Sequence, residues 1–159
     1  MENAHPLVVH FPIALFVTAF ALETIGLIFR WESARRVAWW NLAAGSLGAV
    51  AAVLTGRAAA ATAKHSFEIH QVMTQHERAG YLVLWLLGVV VAWRLASRTW
   101  RVARPPLAAA TRWIGWVMLA VLCGTLAYGA HLGGRLVYEY GVGGSFGRSS
   151  GGIEVIHEH

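Results

Sequence analysis

The sequence predicts an all-α fold, an integral membrane four-helix bundle with both termini on the outer side. Three observations point there. Of the 159 residues, 57% are hydrophobic and only 13% charged, a composition too apolar for a soluble domain of this size. Four apolar runs along the chain are each long enough to cross a hydrocarbon core of ~30 Å. Arginines gather after the first and third runs, where the positive-inside rule places cytoplasmic loops.

The first span, Leu7 to Phe29, opens on His5-Pro6-Leu7-Val8-Val9-His10-Phe11-Pro12. Proline suits the first turn of a helix, where backbone N–H groups lack acceptors. A helix beginning near Val9 keeps Pro12 in that turn, whereas one beginning at Pro6 carries Pro12 as a kink. The run has neither a basic leading segment nor a small-residue cleavage site, so it is expected to be retained. It closes at Arg30 to Arg36. The second span, about Val37 to Ala61, is crowded with small residues that let a backbone or a flat ligand approach closely. Thr62 to Gln75 reads as a polar connection, and the third span follows from about His76 to Ala96. A basic loop from Arg94 to Arg112 is expected, in which Pro105-Pro106 stops any helix. The fourth span, Trp113 to about Leu132, runs on into Tyr138. Residues 1–140 thus form one transmembrane domain. Residues 141–159, with Gly143-Gly144-Ser145 and Ser149-Ser150-Gly151-Gly152, read as a flexible outer tail. Its last stretch, Ile153 to His159, alternates in a way that suits either a partner's sheet edge or disorder.

The formal net charge is +5. Eight arginines (Arg30, Arg35, Arg36, Arg94, Arg98, Arg101, Arg104 and Arg112) flank the two inner loops, against five basic residues (Arg57, Lys64, Arg78, Arg135 and Arg148) on the other side. Trp31, Trp39, Trp40, Trp93, Trp100, Trp113 and Trp116 gather near the inner interface as an aromatic belt. This clustering at helix ends fits membrane topology and excludes a nucleic-acid partner, for which no aromatic-interleaved basic patch exists. The chain has no aspartate, so no Ser-His-Asp set exists. Its one cysteine, Cys123, rules out an internal disulfide, covalent c-type haem attachment and a cysteine zinc site. Glu23, within the first span, reads as the partner of an inner-face arginine, with a proton-relay carboxyl as the alternative.

With this topology all eight histidines lie on the outer side. His10, His76 and His131 stand at helix ends, at similar depth, on three different helices. Inward-facing side chains on neighbouring helices are how bundles build haem and metal sites, and imidazole serves haem iron, zinc and copper alike. A bland alternative for His10 is helix capping, with the ring bonded to a nearby backbone carbonyl. Haem needs a flat slot, expected along Gly45, Gly48, Ala52 and Gly56 with Gly129 and Gly133. It also needs cations for its propionates, a role open to Arg57, Arg78 and Arg135. Those glycines suit plain helix packing equally, and those arginines suit snorkelling to the interface.

The motif His5-Pro6-x-x-Val9-His10-Phe11-Pro12-Ile13-Ala14-Leu15 resembles the signature opening of a family of bacterial four-helix membrane proteins of unknown function. His76-Glu77-Arg78-Ala79-Gly80 is similar to the family's His-Arg-x-x-Gly start of the third helix, with Glu77 inserted and His70 as the substitute ligand. His131-Leu132-Gly133-Gly134-Arg135-Leu136-Val137-Tyr138-x-x-Gly141-Val142-Gly143 resembles its closing motif. The likeness covers roughly residues 5 to 143. It implies a multi-pass protein of the bacterial inner membrane. Relatives fused to c-type cytochrome modules imply a redox setting, like that of b-type haem-binding membrane cytochrome subunits.

These readings converge on a b-type cytochrome subunit with one or two haems, ligated by pairs drawn from His10, His76 and His131, with His5 or His70 completing a second pair. Its role would be electron transfer at the outer, periplasmic face of a larger respiratory or photosynthetic complex, rather than catalysis. The expected partners are the lipid bilayer, the other subunits of that complex, a periplasmic c-type cytochrome and, as an alternative donor, quinol. The rival readings are a non-redox membrane scaffold and a copper or zinc site built from His10, His76 and His131.

Overall fold

A computed structural model describes residues 5–62, 67–103 and 108–142. They form four helices, α1 (His5–Ile28), α2 (Glu32–Thr62), α3 (Phe67–Ala103) and α4 (Ala108–Tyr138), and all four are long and apolar enough to cross a membrane. Packing is closest within the α1–α2 and α3–α4 hairpins; α1 against α4 and α2 against α3 close the ring, leaving α1 and α3 as diagonal partners. The result is an antiparallel, multi-pass membrane bundle. Its surface is paved with exposed apolar side chains such as Leu47, Leu54, Trp85 and Val121, which suits hydrocarbon rather than water as the surrounding solvent.

Three helices are longer than the apolar runs suggest, and the basic loop expected from Arg94 to Arg112 is helical up to Ala103 and again from Ala108, because only Pro105-Pro106 interrupts it. The expected connection from Thr62 to Gln75 is mostly helix, because α3 already begins at Phe67. Glu68, Gln71, Met73 and Gln75 are good helix formers, and no glycine or proline interrupts them. Likewise α2 begins at Glu32 rather than Val37. Helix α1 begins at His5 and carries Pro12 inside it, so the Val8 carbonyl loses its usual intrahelical donor. The Gly- and Ser-rich tail and the Ile153 to His159 alternation lie outside the described residues, as do His65, His157 and His159.

The α1–α2 turn closes with Arg30 in the left-handed region at φ 54°. The Trp31 N–H reaches back to the Gly26 carbonyl at 3.0 Å, the long bond of a Schellman cap. Glycine at position 26 is a matter of space, since an added Cβ would stand 2.2 Å from Arg35 Cγ.

The central core is built from Phe16, Ala19, Leu42, Ala49, Val83, Leu87, Val90, Leu119 and Leu122, drawn from all four helices. Along the α1–α2 seam, a Cβ on Gly45 would fall 2.7 Å from Phe16 Cε1, and one on Gly48 2.8 Å from Phe11 Cδ1. These two glycines therefore receive side chains of α1. The open porphyrin slot expected along them is filled by helix packing, which corrects that part of the sequence reading.

At one end of the bundle Glu23 is 1% exposed. Its carboxylate accepts from Arg35 Nε of α2 at 3.2 Å and from Arg94 Nη1 of α3 at 2.9 Å, so the expected pairing with an arginine is present, twice over. Glu32 extends the network to Arg35 and, at 3.5 Å, to Arg112 of α4. Beside it Trp116 Nε1 donates to Thr24 Oγ1 at 2.9 Å. A carboxylate this deep is tolerable only because two guanidinium groups offset its lost hydration.

These contacts set the outcome of three substitutions. Glu23→Gln leaves Arg94 without its counter-charge and Arg35 with Glu32 alone, and should lower stability by about 3–5 kcal/mol in equilibrium unfolding in mixed micelles; unchanged unfolding would show that the network is ornamental. Gly45→Val should cost roughly 1–3 kcal/mol through overpacking against Phe16. Gly88→Ala, where an added Cβ meets nothing within 4 Å, should leave stability unchanged or raised.

Candidate histidine site

The opposite end of the bundle is put together differently. Its apolar cluster, Val72, Ala79, Leu132 and Leu136 with Ile69, Met73, Tyr140 and Val142 around it, comes from α3, α4 and the residues just after α4. Across to the α1–α2 hairpin, Val53 of α2 lies beside Gly80 of α3, and two imidazoles meet as well. His5 of α1 and His76 of α3 meet on the bundle diagonal with ring centroids 6.2 Å apart and planes at 76°.

Each ring is backed by a glycine on the neighbouring helix. A Cβ on Gly56 of α2 would stand 2.9 Å from His5 Cε1, and one on Gly133 of α4 would stand 3.1 Å from His76 Cε1. The absence of side chains there lets both rings lie inward. Backbone and hydroxyl groups fix their orientation. His76 Nδ1–H donates to the Gly129 carbonyl at 2.9 Å, which leaves the lone pair on Nε2. His5 Nδ1 stands 3.3 Å from Thr55 Oγ1, whose own hydroxyl is directed at the Ala51 and Ala52 carbonyls.

The other histidines are placed elsewhere. His10 is exposed and its Nδ1–H bonds the Pro6 carbonyl one turn back, as the capping alternative expects. Five residues along a helix is a rotation of about 140° from His5, enough to turn His10 out of the bundle. His131 is exposed as well. It lies two residues from both Gly129 and Gly133, the positions that receive His76, and about 160–200° of helical rotation separates it from them. The structure therefore does not bring His10, His76 and His131 together. Among the described residues no group of three or more His, Cys, Asp or Glu side chains is placed to hold a metal ion.

His70 is exposed and lines a cavity of about 280 Å³ with Arg57, Met73, Thr74 and Glu77. Of the three arginines suggested for propionates, Arg57 borders this cavity, which neither His5 nor His76 lines, and follows Gly56 in the chain. Arg78 is exposed, and Arg135 is paired with Glu139 at 2.9 Å. Thr55 had no role in the sequence reading, although the spacing Thr55-Gly56 opposite His5 becomes a signal once α1 and α2 are aligned as an antiparallel pair.

The fold and this end-on histidine pair define a four-helix multi-pass membrane protein. The family described as "Predicted membrane protein (DUF2231)" matches residues 1–145, and the chain belongs to it. No curated protein and no solved structure is matched.

Proposed function

We propose that this protein is a membrane-anchored electron-transfer subunit that holds one b-type haem between His5 and His76. The observation that carries the reading is the imidazole pair itself, brought across the diagonal of the bundle and cradled by Gly56 and Gly133. The ring centroids lie 6.2 Å apart, a separation at which His5 and His76 would both reach one metal ion through bonds of about 2.0–2.1 Å. A pair of imidazoles, with no cluster of three or more ligating side chains among the described residues, would suit a haem iron, whereas zinc takes three or four protein ligands. The donor set therefore favours haem over the copper or zinc alternative.

One-electron exchange is the chemistry such a group supplies when bound. The chain's own residues do the positioning. Gly129 holds the His76 tautomer and ring orientation, Thr55 restrains His5, and Arg57 would supply a cation for a propionate. Outward orientation of this end rests on the excess of arginines at the Glu23 end. Under that orientation a c-type cytochrome is the proposed electron partner within a respiratory or photosynthetic complex, with quinol as the second candidate.

The dithionite-reduced, purified protein is expected to show a low-spin b-type α-band that His5→Ala and His76→Ala abolish and that His10→Ala and His131→Ala leave in place. Loss of the low-spin band in the latter pair instead would restore the ligand set read from sequence depth. A folded, haem-free protein would contradict the reading and leave His5 and His76 as packing residues. For sidedness, a reporter fused at Ala103 should be cytoplasmic and one at Ser149 external; the reverse pattern would move the histidine pair to the inner face.

A further inference from the structure

The Glu23 end contains a cavity of about 460 Å³, remote from the histidine pair and independent of any haem. Its wall carries five guanidinium groups, from Arg35 and Arg36 of α2, Arg94 and Arg98 of α3 and Arg112 of α4, against the carboxylates of Glu23 and Glu32. Positive charge exceeds negative by three. The floor is neutralised, since Glu23 takes Arg35 and Arg94. The mouth is not. Among the described residues Arg36 and Arg98 have no carboxylate partner, and Arg112 has only the 3.5 Å contact with exposed Glu32. Arg112 Nε is buried and, among the described residues, lacks an acceptor, a costly state unless something else supplies one.

An ordinary solvated arginine face would show neither a buried orphan donor nor a cavity. The cavity also has an aromatic wall. Trp39 and Trp93 line it, and the Arg98 guanidinium lies 5.0 Å from the centre of the Trp39 ring, a contact that holds the cation at the rim. Tryptophans at the end of a membrane span mark the level of lipid headgroups, where phosphate is the abundant anion. Planar guanidinium forks match phosphate oxygens, and basic pockets between spans suit anionic headgroups.

We propose that this cavity is a binding site for a phosphate group at the headgroup level, with Arg36, Arg98 and Arg112 as the residues that hold it. Two sources of phosphate share that chemistry, an anionic phospholipid and a soluble phosphate. The test uses the full chain and Arg36→Gln/Arg98→Gln, substitutions that leave the Glu23 network intact; either single variant serves if the double variant does not fold. In native mass spectra the wild type is expected to retain phosphatidylglycerol over phosphatidylcholine, and the variant to lose that preference by about tenfold. Inorganic phosphate is compared with chloride at equal ionic strength in micelles free of phospholipid. A phosphate-dependent rise in unfolding temperature that the variant lacks assigns the site to a soluble anion; no rise, with the lipid preference intact, assigns it to the headgroup. A wild type with neither response, or a variant that matches it in both, overturns the proposal.

Discussion

Everything in this bundle is referred to one buried carboxylate. Glu23 lies on the first helix where hydrocarbon gives way to headgroups, and its charge can stay there only while Arg35 and Arg94 face it. That requirement ties α1 to α2 and to its diagonal partner α3, and Glu32 extends it to α4 through Arg112. Once the helices are pinned at this end, the antiparallel connections set the depth of every other residue. His5 then has to arrive beside Gly56, and His76 beside Gly133.

The two ends thus divide the work between different physics. One is closed by ion pairs and roofed by tryptophans. The other has an apolar cluster from α3, α4 and the residues after it, and two imidazoles meet across the diagonal. A polar pair with a fixed tautomer is an inefficient way to fill a membrane bundle, where leucine would pack with nothing to satisfy.

Much of the architecture was legible in the residues, because span length and arginine placement are read directly from composition along the chain. The pairing of Glu23 was legible too, as an ionisable group within reach of a basic helix end. The histidines were harder. Their depth can be counted in residues, which is how His10 and His131 were singled out, but a ligand also needs the right angular position. The five residues from His5 to His10 and the two from His131 to Gly133 rotate those side chains outward, and only the paired helices reveal which face is inward. Gly45 and Gly48 posed the complementary problem: a small residue looks the same in sequence whether its space is taken by a ligand or by Phe16 and Phe11 of the next helix. The extension of α3 back to Phe67 leaves no mark in hydropathy, because its residues lie beyond the hydrocarbon and are polar; only their helix propensity points to it.

The claim that His5 and His76 share one iron is tested most directly by electron paramagnetic resonance of the oxidised protein. The account predicts a low-spin ferric signal that becomes high-spin in His5→Gly and in His76→Gly and returns to low-spin when free imidazole is added to either variant. A low-spin signal unchanged in both variants, or a folded protein with no ferric haem signal, would contradict it.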